Sequence, residues 1–192
     1  MRSSWPVSVV LLLCAPVAIA ASDKTPPAAA KAAAATPAPS ALTPEQQVAG
    51  LEAQCAKTSE ARAKRQAEKS LYERLGGEAK IHAITREVVR LHHQNKAISH
   101  FLVEGHDEEL ANRVAQFVIS GTGGPAVYKG PSLSESHAHM KLTNADFLAA
   151  GGDVIQGMKN LGYGENEIDE MVCIFVGLRA QVVLPPDAAQ KP

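Results

Sequence analysis

The spacing of the large apolar residues limits what this chain can fold into. Ile81, Ile84, Val88 and Leu91 recur at three- and four-residue steps, and so do Leu110, Val114, Phe117 and Val118. Phe147, Leu148, Val154, Ile155, Met158 and Leu161 form a third set, and Ile168, Met171, Val172, Phe175 and Leu178 a fourth. Steps of this size place each set on one face of a helix. No segment alternates apolar and polar residues over the length of a strand. The expected fold is all-α.

Local signals mark where these helices begin and end. Thr43-Pro44-Glu45-Gln46, Ser132 with Glu135, and Thr143 with Asp146 each carry a capping residue followed three positions later by an acid or amide. Such pairs satisfy the free N–H groups of a first helical turn. Gly76-Gly77 separates a short helix in "SLYERLGG" from the next one, and Gly121, Gly123, Gly124 and Pro125 stop the second apolar set. Gly162 and Gly164 end the third, and Asn166 is expected to open the last helix.

The 192 residues do not all belong to one core. Arg2 precedes an apolar run from Val7 to Ala20 that ends in Ala18-Ile19-Ala20. This is the pattern of a secretory signal peptide (1–20), too short for a stable membrane span, so export to the periplasm or outside the cell is expected. Lipid anchoring through Cys14 is not expected, because the preceding Leu13 is bulky. Residues 21–42 are mostly Ala, Pro, Lys, Ser and Thr and read as a tether with nothing to bury. Residues 43–70 read as a polar helical extension, peripheral to the core, because Val48 and Leu51 are nearly its only large apolar residues. Residues 71–184 form the domain and 185–192 a disordered tail. The net charge is −1 with no basic cluster, so nucleic acid is not an expected partner. Once Cys14 is removed with the signal peptide, Cys55 and Cys173 remain. They either pair in an oxidising compartment or stand as separate buried thiols.

Most catalytic signatures are missing: the chain has no nucleophile elbow, phosphate loop or His-Glu-x-x-His zinc motif. No Cys-x-x-Cys-His is present to attach a haem covalently. His137 and His139 lie two apart on a predicted helix, about 200° around its axis, so at most one of them can serve a given metal. His92 and His93 diverge by about 100°, and His82, His100 and His106 stand alone and are expected to face solvent. What remains is an apolar helical shell with one histidine per face, the environment of a non-covalent haem.

The order of the elements narrows this further. "SLYERLGG", "HFL", the helix around Leu110 to Phe117, "GGPAVYKG" and "HAHM" together resemble the first group of truncated haemoglobins. The resemblance runs without a gap from about Ser70 to His139 and continues to about Val183. It rests on Tyr72 with Leu75-Gly76-Gly77, on Gly123-Gly124-Pro125 with Tyr128 and Gly130, and on Ser136-His137. It implies a two-over-two helical sandwich around haem b, with His137 as the axial ligand of the iron and His139 pointing away. The second ring nitrogen of His137 should be held by a carbonyl or hydroxyl, fixing its tautomer. Leu133, Phe101, Leu102, Leu110, Arg113, Val114, Phe117 and Tyr128 are the implied haem contacts, with Arg113, Tyr128 and Lys129 as candidates for the propionates.

The departures are informative. Val89 stands where the family usually has a distal tyrosine, and Leu110, Arg113 and Val114 where glutamine or histidine is common. Phe101-Leu102 replaces a Phe-Phe pair. The distal pocket of Val89, Leu110 and Val114 is thus expected to be apolar, with Arg113 the only nearby strong donor and His92 and His93 one turn beyond Val89. Three functions are compatible with this reading. They are reversible binding of O2, NO or CO; a nitric-oxide dioxygenase or peroxidase-like reaction with an unknown reductase; and a haem-free helical interaction module.

Overall fold

A computed structural model describes residues 42–183, so the expected signal peptide, all but the last residue of the tether, and the tail lie outside the described residues. Seven α-helices follow one another: α1 (Pro44–Glu68), α2 (Leu71–Arg74), α3 (Glu78–Gln94), α4 (Asp107–Gly121), α5 (Leu133–His137), α6 (Asn144–Asn160) and α7 (Glu165–Leu178). Tight helical turns follow α3 at Ser99–Phe101, α5 at Ala138–Met140 and α7 at Arg179–Gln181. No strand occurs among the described residues.

The capping chemistry explains the boundaries. Thr43 with Gln46, Ser132 with Glu135 and Thr143 with Asp146 all form reciprocal boxes, and Ser70 with Glu73 forms a fourth at α2. The last helix opens at Glu165, one residue before Asn166, because extended Gly164 takes the cap position.

The helices stack in two pairs. α3 lies against both α4 and α6, and α6 lies against α7. Small residues let the axes approach. Ala111 and Ala115 on α4 are almost fully covered, and a Cβ added to Gly157 on α6 would meet Val88 at 3.1 Å. Leu71, Leu75, Ile81, Ile119, Met158 and Met171 fill the centre completely. Each such side chain contributes about 1.5–3 kcal/mol relative to remaining in water. Leu161 departs from the expected apolar face: it is 44% exposed, in the turn that Gly162 completes with φ +82°.

The front helix is not the peripheral extension that its composition predicts. α1 packs on α6 and α7, with Val48 3% exposed, and Cys55 forms a disulfide with Cys173 of α7. At its far end, Gln66 accepts the N–H of Leu71 at 2.8 Å. Arg65 of α1 and Arg74 of α2 converge on buried Glu170 of α7, at 3.5 and 2.7 Å. A polar helix can dock in this way because a thin apolar stripe suffices when a covalent bond and a buried carboxylate hold the rest.

Candidate functional site

α5 is only five residues long, so its position is set from outside. Tyr128 does much of this: its hydroxyl donates to Pro131 O at 2.6 Å, and its ring meets Phe117 of α4 edge-on with centroids 5.3 Å apart. Ser120 of α4 accepts the N–H groups of Val127 and Tyr128 at 3.0 and 3.1 Å. The connection from α4 is thereby pinned, and Ser132 starts the helical turn that presents His137. Lys141, with φ +51°, ends the following turn in the left-handed conformation.

His137 is half-buried, and its Nδ1 lies 2.7 Å from Leu133 O. A carbonyl oxygen only accepts, so Nδ1 carries a proton, and in the neutral imidazole the lone pair is on Nε2. That is the protonation pattern of an imidazole prepared to donate to a metal. His139 is exposed on the adjoining turn. Leu133 enters the site through its carbonyl as well as its side chain.

α4 presents two apolar faces. Ala111, Ala115, Val118 and Ile119 are buried against the core, whereas Leu110, Val114 and Phe117, at steps of four and three, are only half-covered. Phe101 and Leu102, after the turn that follows α3, are also half-covered. Phe117 reaches a cavity of about 250 Å³ whose remaining wall includes Val118, Thr122, Met171, Ile174, Phe175 and Leu178. The α7 residues are a part of the site that the sequence analysis left in the core. Their spacing at 171, 174, 175 and 178 was the available signal, but it does not tell a core stripe from a cavity wall.

The expected donors are engaged elsewhere. His92 Nδ1 sits 2.8 Å from Asp153 of α6, which also accepts from Asn95. Burial holds the His92 pKa below its ordinary value despite that carboxylate, which pulls the other way. His93 Nε2 contacts Asp107 at 2.7 Å, and Arg113 pairs with Glu109 one turn back at 2.6 Å. Arg113 is half-exposed and Lys129 exposed, both on the rim. Val89 is buried in α3, 5% exposed. Of the three lone histidines, His100 and His106 are exposed as expected, whereas His82 is half-buried.

These residues fit a haem. An apolar cavity, half-covered apolar residues along α4, one imidazole whose Nδ1 is engaged and exposed cations outside the core suit a flat, greasy group with charged edges. No cluster of three or more histidine, cysteine, aspartate or glutamate side chains among the described residues offers a competing metal cage.

A helical sandwich that presents one histidine oriented in this way defines a protein of the globin class. Residues 70–183 match the family model of bacterial-like globins, and the chain belongs to that family. It is homologous to the group 1 truncated hemoglobins of Tetrahymena thermophila and Tetrahymena pyriformis. The first is 29% identical over 101 residues, 53% of this chain and 84% of that protein. The second is 28% identical over 114 residues, 59% and 94% respectively. The crystal structure of the ferric T. pyriformis protein superposes with a TM-score of 0.58 at 25% identity, covering 61% of this chain and all of the other. The 2/2 hemoglobin of a Synechococcus species, solved in the cyanomet state with covalently attached heme, gives a TM-score of 0.52 at 25% identity, covering 56% and 90%. The fold is the two-over-two sandwich of the truncated globins.

Proposed function

We propose that this chain is an exported haem protein that binds a diatomic gas reversibly, O2 foremost, through an iron held by His137. The observation that carries the reading is the bond from His137 Nδ1 to Leu133 O, which leaves Nε2 as the ring nitrogen available to iron. When bound, haem b supplies the iron to which a gas attaches. The chain's own part is to orient the imidazole, exclude water and shape the opposite wall. Leu110, Val114 and Phe117 offer that wall no hydrogen-bond donor, and Val89 adds none from α3. Arg113 and Lys129, both exposed, are the cations assigned to the cofactor's carboxylates.

Related structures include T. pyriformis variants altered at one tyrosine and at two glutamines. The intervals between those positions equal the intervals between Val89, Leu110 and Val114, which supports reading these three as the distal wall. The apolar substitutions favour simple binding over a dioxygenase, since a reacting oxygen develops negative charge that donors would have to stabilise.

The test is the absorption spectrum of purified protein reconstituted with haem, with His137→Ala and His139→Ala alongside. The expected outcome is a Soret band that His137→Ala abolishes or greatly weakens and His139→Ala leaves near normal. The reverse pattern overturns the ligand assignment, and no Soret band in the wild type leaves the helical module as the function. Oxygenated protein that consumes NO catalytically when a reductase is supplied would make it an enzyme instead. Export is supported by the Arg2, apolar-run and Ala18-Ile19-Ala20 pattern, and cell-derived protein retaining Met1 overturns it.

A further inference from the structure

Cys173 and Phe175 point about 200° apart on α7, so the helix that walls the cavity carries its disulfide on the other side. That side is not sealed. Both Cys55 and Cys173 line an open groove of about 450 Å³ between α1 and α7. Each cysteine is otherwise almost covered, 9% and 8% exposed, so the groove is the route by which a solute reaches the sulfurs.

The groove wall is cationic. Arg62 donates to Cys55 O at 2.8 Å and to the hydroxyl of Thr58, and has no carboxylate partner among the described residues. Arg179 donates to Asn144 at 2.9 Å and Glu52 at 3.2 Å, while its Nε is buried without a partner. Two guanidiniums thus face one carboxylate, Glu52, along the lining. The two sulfurs differ as well. Asp169 lies 4.0 Å from Cys173 Sγ, whereas on the Cys55 side Arg62 lines the groove and donates to the backbone carbonyl. A thiolate is therefore better supported at Cys55 than at Cys173.

We propose that this groove is a thiol–disulfide exchange site that admits a small thiol bearing carboxylates. The thiolate sulfur of that reductant attacks Cys173 Sγ, and a new S–S bond forms there. The Cys55–Cys173 bond breaks, and its electron pair leaves on Cys55 Sγ as a thiolate, the sulfur without the Asp169 carboxylate at 4.0 Å. A second equivalent of the same thiol attacks the small-molecule sulfur of the mixed disulfide. It departs as the oxidised dimer, and the Cys173 thiolate so released takes a proton from water. The two equivalents of thiol are oxidised and the protein disulfide is reduced. The arginines recognise the carboxylates and raise the local concentration of an anion that would otherwise enter slowly.

The test uses the full chain with its disulfide intact, in buffer without denaturant. Reduced glutathione is compared with its diethyl ester at equal thiolate concentration, with samples quenched in acid, alkylated and weighed by mass spectrometry. Two exposed charge pairs predict that the dicarboxylate reacts about three- to tenfold faster. The advantage should shrink in high salt, fall by about half on a logarithmic scale in Arg62→Gln and return in Arg62→Lys. The first adduct should map to Cys173. Equal rates for the two thiols, an advantage unchanged by Arg62→Gln, an adduct on Cys55, or no reduction short of unfolding would each overturn the proposal.

Discussion

At position 89, assigned above to the distal wall, an aliphatic side chain is buried in α3. Its consequence depends on whether anything nearby can replace a missing hydroxyl. His92 is committed to Asp153, His93 to Asp107, and Arg113 to Glu109. A hydrogen bond to a charge-bearing partner contributes about 1.5–3 kcal/mol. Supplying one through Val89→Tyr should therefore slow O2 dissociation by roughly ten- to a hundredfold. CO carries little negative charge when bound and should change much less. Stopped-flow dissociation of both gases measures this directly. Unchanged O2 kinetics would mean that one of the three paired donors leaves its carboxylate to serve the ligand.

The helices and their connections show which parts of the fold could be read from the chain. Capping boxes involve residues three apart, so Thr43, Ser132 and Thr143 announced their helices locally, and the apolar steps showed which faces turn inward. The Asp153 partner of His92 is 61 positions away, and the seating of α1 on α7 depends on residues still more distant. Spacing carries no information about such contacts. The same holds for α7, where one stripe serves both core and cavity. The α4–α5 connection illustrates what a motif can hide. In "GGP", Gly123 has φ +94°, and Gly124 has no room for a side chain: an added Cβ would sit 2.6 Å from the Tyr72 ring and 2.9 Å from Ile119 O. Because backbone cannot yield cheaply, Gly124→Ala should lower stability by about 1–3 kcal/mol. It should also loosen the Tyr128 anchor that positions α5. Urea unfolding reads the first effect, and haem retention near the unfolding threshold reads the second. A midpoint equal to wild type would show that the loop shifts freely and that His137 is positioned by other contacts.

For the molecule as a whole, the bond between Cys55 and Cys173 spans 118 positions in sequence. Cross-linking a loop of this order restricts the unfolded chain, and losing such a bond typically costs about 2–5 kcal/mol. The paired variant Cys55→Ser with Cys173→Ser should accordingly melt roughly 8–20 °C lower. Because the disulfide faces away from the cavity wall, the haem spectrum of the folded variant should be unchanged. A variant that melts with wild type would place the holding force of α1 in Gln66, Arg65 and Glu170 alone.

The same bond gives the chain an unusual topology. α2 to α6 all lie between the two bonded positions, so the globin core is enclosed in a covalent ring closed by one pair of sulfurs. The exposed stretch around Pro125 to Val127 is where a protease would find accessible backbone. A cut there would open the ring without releasing a piece. Both halves would remain one molecule, able to find each other again at an effective concentration set by the tether rather than by dilution. For the exported protein proposed above, beyond the reach of the machinery that replaces damaged chains, a nicked globin held in this ring would remain a globin until its disulfide was reduced.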